Sequence, residues 1–240
     1  MKINRLAIKN NSRLLLAKTT PSPFLVFLVY FVITYILDSL VYSVSGQYAV
    51  MSQMLQQYQQ GNFDFVPVLP TPTIPSSLIL IAIYLMLLMM SVGFTIYCFN
   101  IGNLRKASFG NLFDGFAIFG KVLLLEILMS VFIFLWTLLL VVPGIIAAYR
   151  YRMALYIMLD HPEYSALDCI RESKAMMDGR KGELFVLDLS FLGWQLLTLI
   201  PFVSIFVYPY TQLTYVNYYN ALRDMPEDGF EPEAGVDSSK

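Results

Sequence analysis

Two arginines stand in the middle of an apolar stretch of the chain. Residues 141–160 read VVPGIIAAYRYRMALYIMLD, in which a single tyrosine separates Arg150 from Arg152. A guanidinium group binds phosphate or carboxylate through two parallel hydrogen bonds, so such an arginine can hold an anion. It can also pair with acidic side chains on neighbouring segments, which would fix packing and depth.

Two acidic residues in neighbouring apolar segments are candidate partners. Counted at about 1.5 Å per residue from the predicted cytoplasmic ends, Glu126, Arg152 and Asp188 lie roughly 8–12 Å deep. Arg150 and Arg152 point about 200° apart on a helix. Four unpaired charges would cost about 10–14 kcal/mol in the membrane. We expect an ionic network of Glu126, Arg150, Arg152 and Asp188, or an anion site in which one arginine is left free.

The last apolar segment carries polar side chains that could line a pocket beside these charges. It contains YPYTQLTYVNYYN, and the predicted pocket wall consists of Tyr210, Gln212, Tyr215 and Asn217. Polar side chains of this kind also hold helices together in lipid, so helix packing is the alternative.

The sequence contains no recognisable catalytic or metal-binding motif. Its single histidine, His161, cannot supply a multi-histidine metal shell. Asp160 is interpreted as the cap of a helix over residues 163–178. No Gly-rich phosphate loop, nucleophile elbow or large basic surface for nucleic acid is present. We therefore expect no enzyme activity, no cofactor and no nucleic-acid partner.

The composition predicts an all-α membrane protein. Of the 240 residues, 57% are hydrophobic and 14% are charged, whereas a soluble domain has about 25% charged residues. Several apolar runs approach the roughly 20 residues that a helix needs to cross a bilayer. We predict a single six-span domain over residues 1–222, with spans at about 23–45, 77–100, 119–141, 143–160, 183–200 and 202–222.

Basic residues indicate how these spans are oriented. The connection over residues 46–75 and the two tight turns at Pro143 and Pro201 contain no lysine or arginine. By the positive-inside rule, both termini face the cytoplasm and the 46–75 loop faces outward. Residues 223–240 are acidic and polar, so we predict a disordered tail.

Three short amphipathic segments predict interfacial helices, each placed before a two-span hairpin. The first 18 residues carry five basic and no acidic groups, and the residues at helical spacing that predict an interfacial helix are Ile3, Leu6, Ala7, Asn10 and Leu14. The second segment is rich in phenylalanine and covers residues 109–119. The third lies within residues 163–178 and places on one face Ala166, Cys169, Ile170, Ser173 and Met177.

Several motifs in residues 143–219 occur in an order that resembles a known family. They are Pro143–Gly144, Tyr149–Arg150–Tyr151, Ser165–Ala166–Leu167, Ser173–Lys174, Met177–Asp178–Gly179, Leu-Ser-Phe-Leu-Gly-Trp at 189–194, Pro209–Tyr210 and Tyr218–Tyr219. The family is a bacterial integral-membrane family known only as a domain of unknown function, number nine-seven-five in its series. The resemblance implies a six-span protein of the bacterial plasma membrane and implies no reaction.

The sequence leaves two classes of function open. The first is a non-enzymatic membrane interaction or lipid-associated protein, whose partners would be membrane lipids, a membrane protein or a second copy of the chain. The alternative is a small transporter or lipid-handling protein with an anion site near Arg150 and Arg152.

Overall fold

The computed structural model describes residues 3–68 and 70–225, and over these residues the chain forms helices and no strands. The helices are α1 Arg5–Lys18, α2 Pro23–Val44, α3 Gln47–Gln59, α4 Ile74–Gly102, α5 Asn111–Ala117, α6 Phe119–Leu139, α7 Val141–Tyr151, α8 Ala154–Asp160, α9 Ala166–Met176, α10 Lys181–Leu189, α11 Leu192–Leu197 and α12 Pro201–Arg223. The predicted all-α class is confirmed. From residue 226 onward, the predicted disordered tail lies outside the described residues.

Three helices in the described part of the chain are long and apolar enough to cross a membrane. They are α2 with 22 residues, α4 with 29 and α6 with 21, and their apolar windows have mean hydropathies of 2.3, 2.5 and 2.5. At 1.5 Å per residue, each is at least about 30 Å long, which matches the hydrocarbon core. Apolar side chains at the end of α6 and the start of α7 are exposed, from Leu138 at 74% to Val142 at 65%. A surface of this kind suits contact with lipid.

The predicted spans four and five are each divided into two helices. Span four consists of α7 and α8, which are interrupted at residues 152–153, and span five consists of α10 and α11, which are interrupted at residues 190–191. The prediction of one continuous helix in each span is therefore wrong. At about 16 Å, α7 alone covers roughly half of the hydrocarbon thickness. Apolar composition does not show such breaks, because the contacts that stabilise them come from distant residues.

The central helix of the fold is α12, which packs against α1, α2, α4 and α11. Its side chains are almost completely buried from Leu213 to Tyr219. Nearer its start, the Tyr208 ring stacks on Phe27 of α2 at a centroid distance of 4.9 Å and approaches Phe94 of α4 at 5.6 Å. Aromatic packing therefore joins three long helices around one core.

Helix α9 has the buried face that its sequence periodicity predicts. All five residues of that face are buried: Ala166, Cys169, Ile170, Ser173 and Met177. The helix begins with a capping box, in which the Ser165 hydroxyl accepts from the Asp168 backbone N–H at 3.2 Å and the Asp168 carboxylate accepts from the Ser165 N–H. These bonds with Ser165 lower the pKa of Asp168 below its ordinary value. The assignment of Asp160 as the cap was therefore wrong.

Helix α1 buries one side in the protein and exposes both leucines of its predicted interfacial face. Ile8, Ser12 and Leu16 are buried, whereas Leu6 is 73% exposed and Leu14 is 55% exposed. The helix lies along α12 and presents two leucines of its predicted apolar face outward. This arrangement leaves Leu6 and Leu14 available to the membrane interface.

Helices α4 and α5 pack with their backbones in close contact. A Cβ atom at Gly93 would collide with the backbone carbonyl of Leu112, and one at Gly115 would collide with the carbonyl of Met89. Both glycines are buried. Because the obstructing atoms belong to the backbone, they cannot move aside as a flexible side chain could.

We expect Gly93→Ala to lower the free energy of unfolding by about 1–3 kcal/mol through overpacking. The matched control is Gly120→Ala, because a Cβ atom there meets nothing within 4 Å. That change should be neutral or slightly stabilising, since alanine favours helix more than glycine does. Thermal unfolding in detergent measures both, and equal effects would contradict the close packing of α4 on α5.

Candidate functional site

A buried serine of α9 stabilises the break in span four. The Ser173 hydroxyl donates to the Arg150 carbonyl at 2.8 Å and accepts from the Met153 backbone N–H at 3.2 Å. In an unbroken helix, these backbone groups would bond to residues four positions away. Ser173 therefore supplies the hydrogen bonds that the interruption removes, and it ties α9 to the two arginines.

The same packing places one charged side chain of α9 beside the tyrosine that separates the two arginines. The Lys174 ammonium lies 5.7 Å from the ring centre of Tyr151, the residue between Arg150 and Arg152. Arg171 and Glu172, on the same helix, are exposed. The arginines also lie at the C-terminal end of α7, whose partial negative charge favours cations. Counting along a straight helix could not reveal that α9 places Lys174 beside Tyr151.

Arg150 and Arg152 line separate cavities. Arg150 lines one of about 210 Å³ together with Trp136 and Pro143, and its Nε atom is buried without a hydrogen-bond partner among the described residues. Arg152 is exposed to a larger cavity of about 450 Å³. The two side chains therefore have different surroundings.

The cavity at Arg152 lies between α4, α6, α7, α8 and α12, and its volume is in the range of small-ligand sites. Its polar wall includes Ser91, Thr95, Glu126, Ser130, Arg152 and Gln212. Among these side chains, Arg152 can donate to an anion and Glu126 can accept from a cation. In the described part of the chain, no group of three or more His, Cys, Asp or Glu side chains could hold a metal ion.

Hydrogen bonds fix part of this wall in place. The Tyr156 hydroxyl donates to the Gln212 Oε1 atom at 3.3 Å, and the Gln212 Nε2 atom donates to the Tyr208 hydroxyl at 3.3 Å. The Thr95 hydroxyl donates to the Ser91 carbonyl at 3.0 Å. These side chains are therefore oriented by the protein itself, as a binding site requires.

Asp188 lies next to this wall and is held by two tyrosines. Its carboxylate accepts from the Tyr149 hydroxyl at 2.9 Å and from the Tyr215 hydroxyl at 2.8 Å. The Arg152 guanidinium carbon lies 5.0 Å from the ring centre of Tyr215. The tyrosine therefore stands between the arginine and the aspartate. The sequence held a partial signal for this, because Tyr149 and Arg152 are three residues apart, a spacing that places two side chains on one face of a helix.

The four residues of the predicted ionic network are only partly brought together. Glu126 and Arg152 line one cavity, Asp188 contacts Tyr215 in its wall, and Arg150 lies apart. Among the described residues, neither arginine has an acidic oxygen within 4.0 Å. Arg152 therefore approaches Asp188 only through Tyr215, and no direct pair forms the predicted network among these residues.

Only two of the four residues of the predicted pocket wall line the cavity at Arg152, and the other two contact α1. Gln212 and Tyr215 line the cavity at Arg152. Tyr210 instead lies beneath Arg13 of α1, 5.6 Å from its guanidinium carbon, and the Asn217 amide donates to the Ser12 hydroxyl at 2.8 Å. Two faces of α12 are therefore used, one for the cavity and one for α1.

Asp160 joins three parts of the chain at the end of α8. Its carboxylate accepts from Arg223 at 2.8 Å, Arg105 at 3.4 Å and the Tyr219 hydroxyl at 3.1 Å. The Asp160 side chain is only 10% exposed. The sequence-based interpretation missed this role because the partners lie 55 to 63 residues away.

We expect Ser173→Ala to lower the free energy of unfolding by about 1–3 kcal/mol, because the Arg150 carbonyl and Met153 N–H lose a buried partner. The control is Ser52→Ala, since the exposed Ser52 hydroxyl bonds only to the Ala49 carbonyl among described residues. A change there should stay within about 0.5 kcal/mol. Thermal unfolding of both variants in detergent tests this, and similar losses would contradict the role of Ser173.

A second substitution tests the contacts of Asp160. Asp160→Asn should lower the free energy of unfolding by about 1–3 kcal/mol, since it weakens bonds to two arginines and a tyrosine. Asp178→Asn is the matched control, because Asp178 is exposed and pairs with Lys181 alone among the described residues. If both variants unfold at the wild-type temperature, Asp160 does not hold these segments together.

The sequence comparison bears on the region that contains most of this site. The profile of a family described as "Protein of unknown function (DUF975)" matches residues 137–225. These residues include Arg150, Arg152, Asp188 and the wall residues of α12. No curated protein and no solved structure matches the chain. The resemblance inferred from the motifs is therefore confirmed over residues 137–225, which match the DUF975 family.

Proposed function

We propose that the chain is a non-enzymatic, multi-pass protein of the bacterial plasma membrane that binds an anionic lipid head group or solute through Arg152. The observation that carries this proposal is the exposure of Arg152 to a cavity of about 450 Å³, without an acidic oxygen within 4.0 Å among described residues. A guanidinium in this setting is available for a phosphate or carboxylate. Two of the helices around the cavity, α4 and α6, are long and apolar enough to cross a membrane.

Six membrane crossings are consistent with this site. In the proposed topology, α2, α4, α6 and α12 each cross once, and the pairs α7–α8 and α10–α11 provide the other two crossings as broken helices. Interrupted helices occur in membranes where they are buried in protein or line a cavity. The interruption in span four falls at Arg152, which faces the cavity. The absence of lysine and arginine from residues 46–75 supports cytoplasmic termini.

Membrane lipids are the proposed partners, ahead of a membrane protein or a second copy of the chain. Helix α1 carries Arg5, Arg13 and Lys18 on exposed positions, together with the exposed leucines of its outer side. Basic residues next to apolar ones favour the surface of a membrane that contains anionic lipids. The helix would therefore keep lipid phosphates close to the protein.

Transport is a second candidate function, and the two interrupted spans favour it. Discontinuous helices form the binding sites of many transporters, where unwound backbone and helix ends contact the solute. Here the break in span four adjoins Arg152, and the break in span five follows two residues after Asp188. A transporter would move the bound anion across a vesicle membrane, whereas a lipid-associated protein would only retain it.

The proposal predicts that Arg152→Gln abolishes stabilisation of the protein by an anionic ligand. Wild-type protein in detergent should unfold at a higher temperature when inorganic phosphate or phosphatidylglycerol is added, and the variant should lose that increase. A charged hydrogen bond contributes about 1.5–3 kcal/mol, so affinity should fall roughly tenfold or more.

Arg150→Gln is the matched control, because it removes the same group two residues away from a different cavity. It should retain the response to phosphate and to phosphatidylglycerol. If Arg152→Gln folds and still responds like the wild type, Arg152 does not bind the anion and the proposed function is wrong.

A further inference from the structure

The cavity at Arg152 contains one positive and one negative side chain that do not pair with each other. Arg152 follows the end of α7, and Glu126 belongs to α6 on another wall. No ion pair within 4.0 Å joins them in the described structure. Two side chains of opposite charge therefore face the same cavity, Glu126 from α6 and Arg152 from the interruption between α7 and α8.

Glu126 has no protein partner that would use its charge. It is half-buried, and its carboxylate forms no hydrogen bond or ion pair with any residue in the described ranges. The neighbouring carboxylate, Asp188, differs in this respect because Tyr149 and Tyr215 donate to its two oxygens. Glu126 is therefore the acidic group that the cavity offers to a ligand.

A ligand with a single charge would satisfy only one of these side chains. An anion on Arg152 would leave the Glu126 carboxylate unpaired in a partly desolvated space, and an ammonium on Glu126 would leave Arg152 unpaired. We propose that the cavity binds a zwitterion, with its phosphate or carboxylate on Arg152 and its primary ammonium on Glu126. This inference rests on the anion site proposed above and adds the second charge.

Two classes of ligand carry a primary ammonium group within a few bonds of an anionic oxygen. One is the phosphoethanolamine head group of a membrane lipid, and the other is a free zwitterionic solute such as phosphoethanolamine or an amino acid. A quaternary ammonium fits less well, because it has no N–H to donate to Glu126. The cavity of about 450 Å³ has room for a group of this size.

The test measures binding to the purified full chain in detergent at constant ionic strength. Soluble phosphoethanolamine is compared with inorganic phosphate and with ethanolamine by thermal shift and calorimetry. We expect wild-type protein to bind phosphoethanolamine about tenfold more tightly than phosphate, which is the expected contribution of one charged hydrogen bond. Glu126→Gln should reduce phosphoethanolamine binding to the level of phosphate.

Glu172→Gln is the matched control, because it removes an exposed carboxylate of α9 that lies outside the cavity, and it should bind like the wild type. A second arm places the protein in nanodiscs that contain phosphatidylethanolamine, phosphatidylcholine or phosphatidylglycerol. Stabilisation by phosphatidylethanolamine without an effect of soluble phosphoethanolamine would assign the site to lipid. An effect of the soluble compound alone would assign it to a solute.

The outcomes separate this inference from the anion site on which it rests. If phosphate and phosphoethanolamine bind equally, phosphatidylglycerol stabilises as well as phosphatidylethanolamine, and Glu126→Gln changes neither, the zwitterion is rejected and the anion site stands. If no phosphate-containing ligand stabilises the wild type, both proposals are rejected.

Discussion

The position of Ser173 between α7 and α8 is the constraint on which the site depends. Its hydroxyl bonds to backbone groups on both sides of the interruption, so span four can be broken without leaving those groups unpaired. Arg152 lies at this interruption and lines the larger cavity, whereas Arg150 lines a different one. Because Ser173 belongs to α9, the packing of this helix is linked directly to the backbone on both sides of Arg152.

The cavity depends equally on the tyrosines that surround it. Tyr215 separates Arg152 from Asp188, and Tyr156 with Tyr208 holds the Gln212 amide. Each of these hydroxyls bonds a polar group in or beside the cavity wall. Tyrosine suits this role because its ring fills apolar space while its hydroxyl reaches a partner. Arg152 and Glu126 have no ion-pair partner within 4.0 Å among the described residues, so their charges are the ones that a ligand could pair with.

Helical periodicity predicted the parts of the fold whose two faces differ strongly. The buried face of α9 agreed at every position from Ala166 to Met177, because charged residues occupy its opposite side. In α1, apolar residues occur on both sides, and the sequence could not show that Ile8 and Leu16 face the protein while Leu6 and Leu14 face outward. The interruptions of spans four and five were also hidden, since hydropathy measures composition and not distant hydrogen bonds. For the site, the positions of Arg152 and Glu126 along their helices predicted that they lie close together, and the two-residue spacing of Arg150 and Arg152 predicted that these two side chains point apart.

The contacts between α1 and α12 have a consequence for how the protein is assembled. Lys9 donates to Ser190 at 2.6 Å across 181 residues, and Asn217 donates to Ser12 across 205. During synthesis, α1 is therefore made long before α12, the helix that buries it. Its native contacts can form only after most of the chain has been made. A basic helix with exposed leucines can remain at the membrane surface in the meantime. Leu6 and Leu14, which stay exposed in the folded protein, would then also hold α1 at the membrane surface before α12 is made.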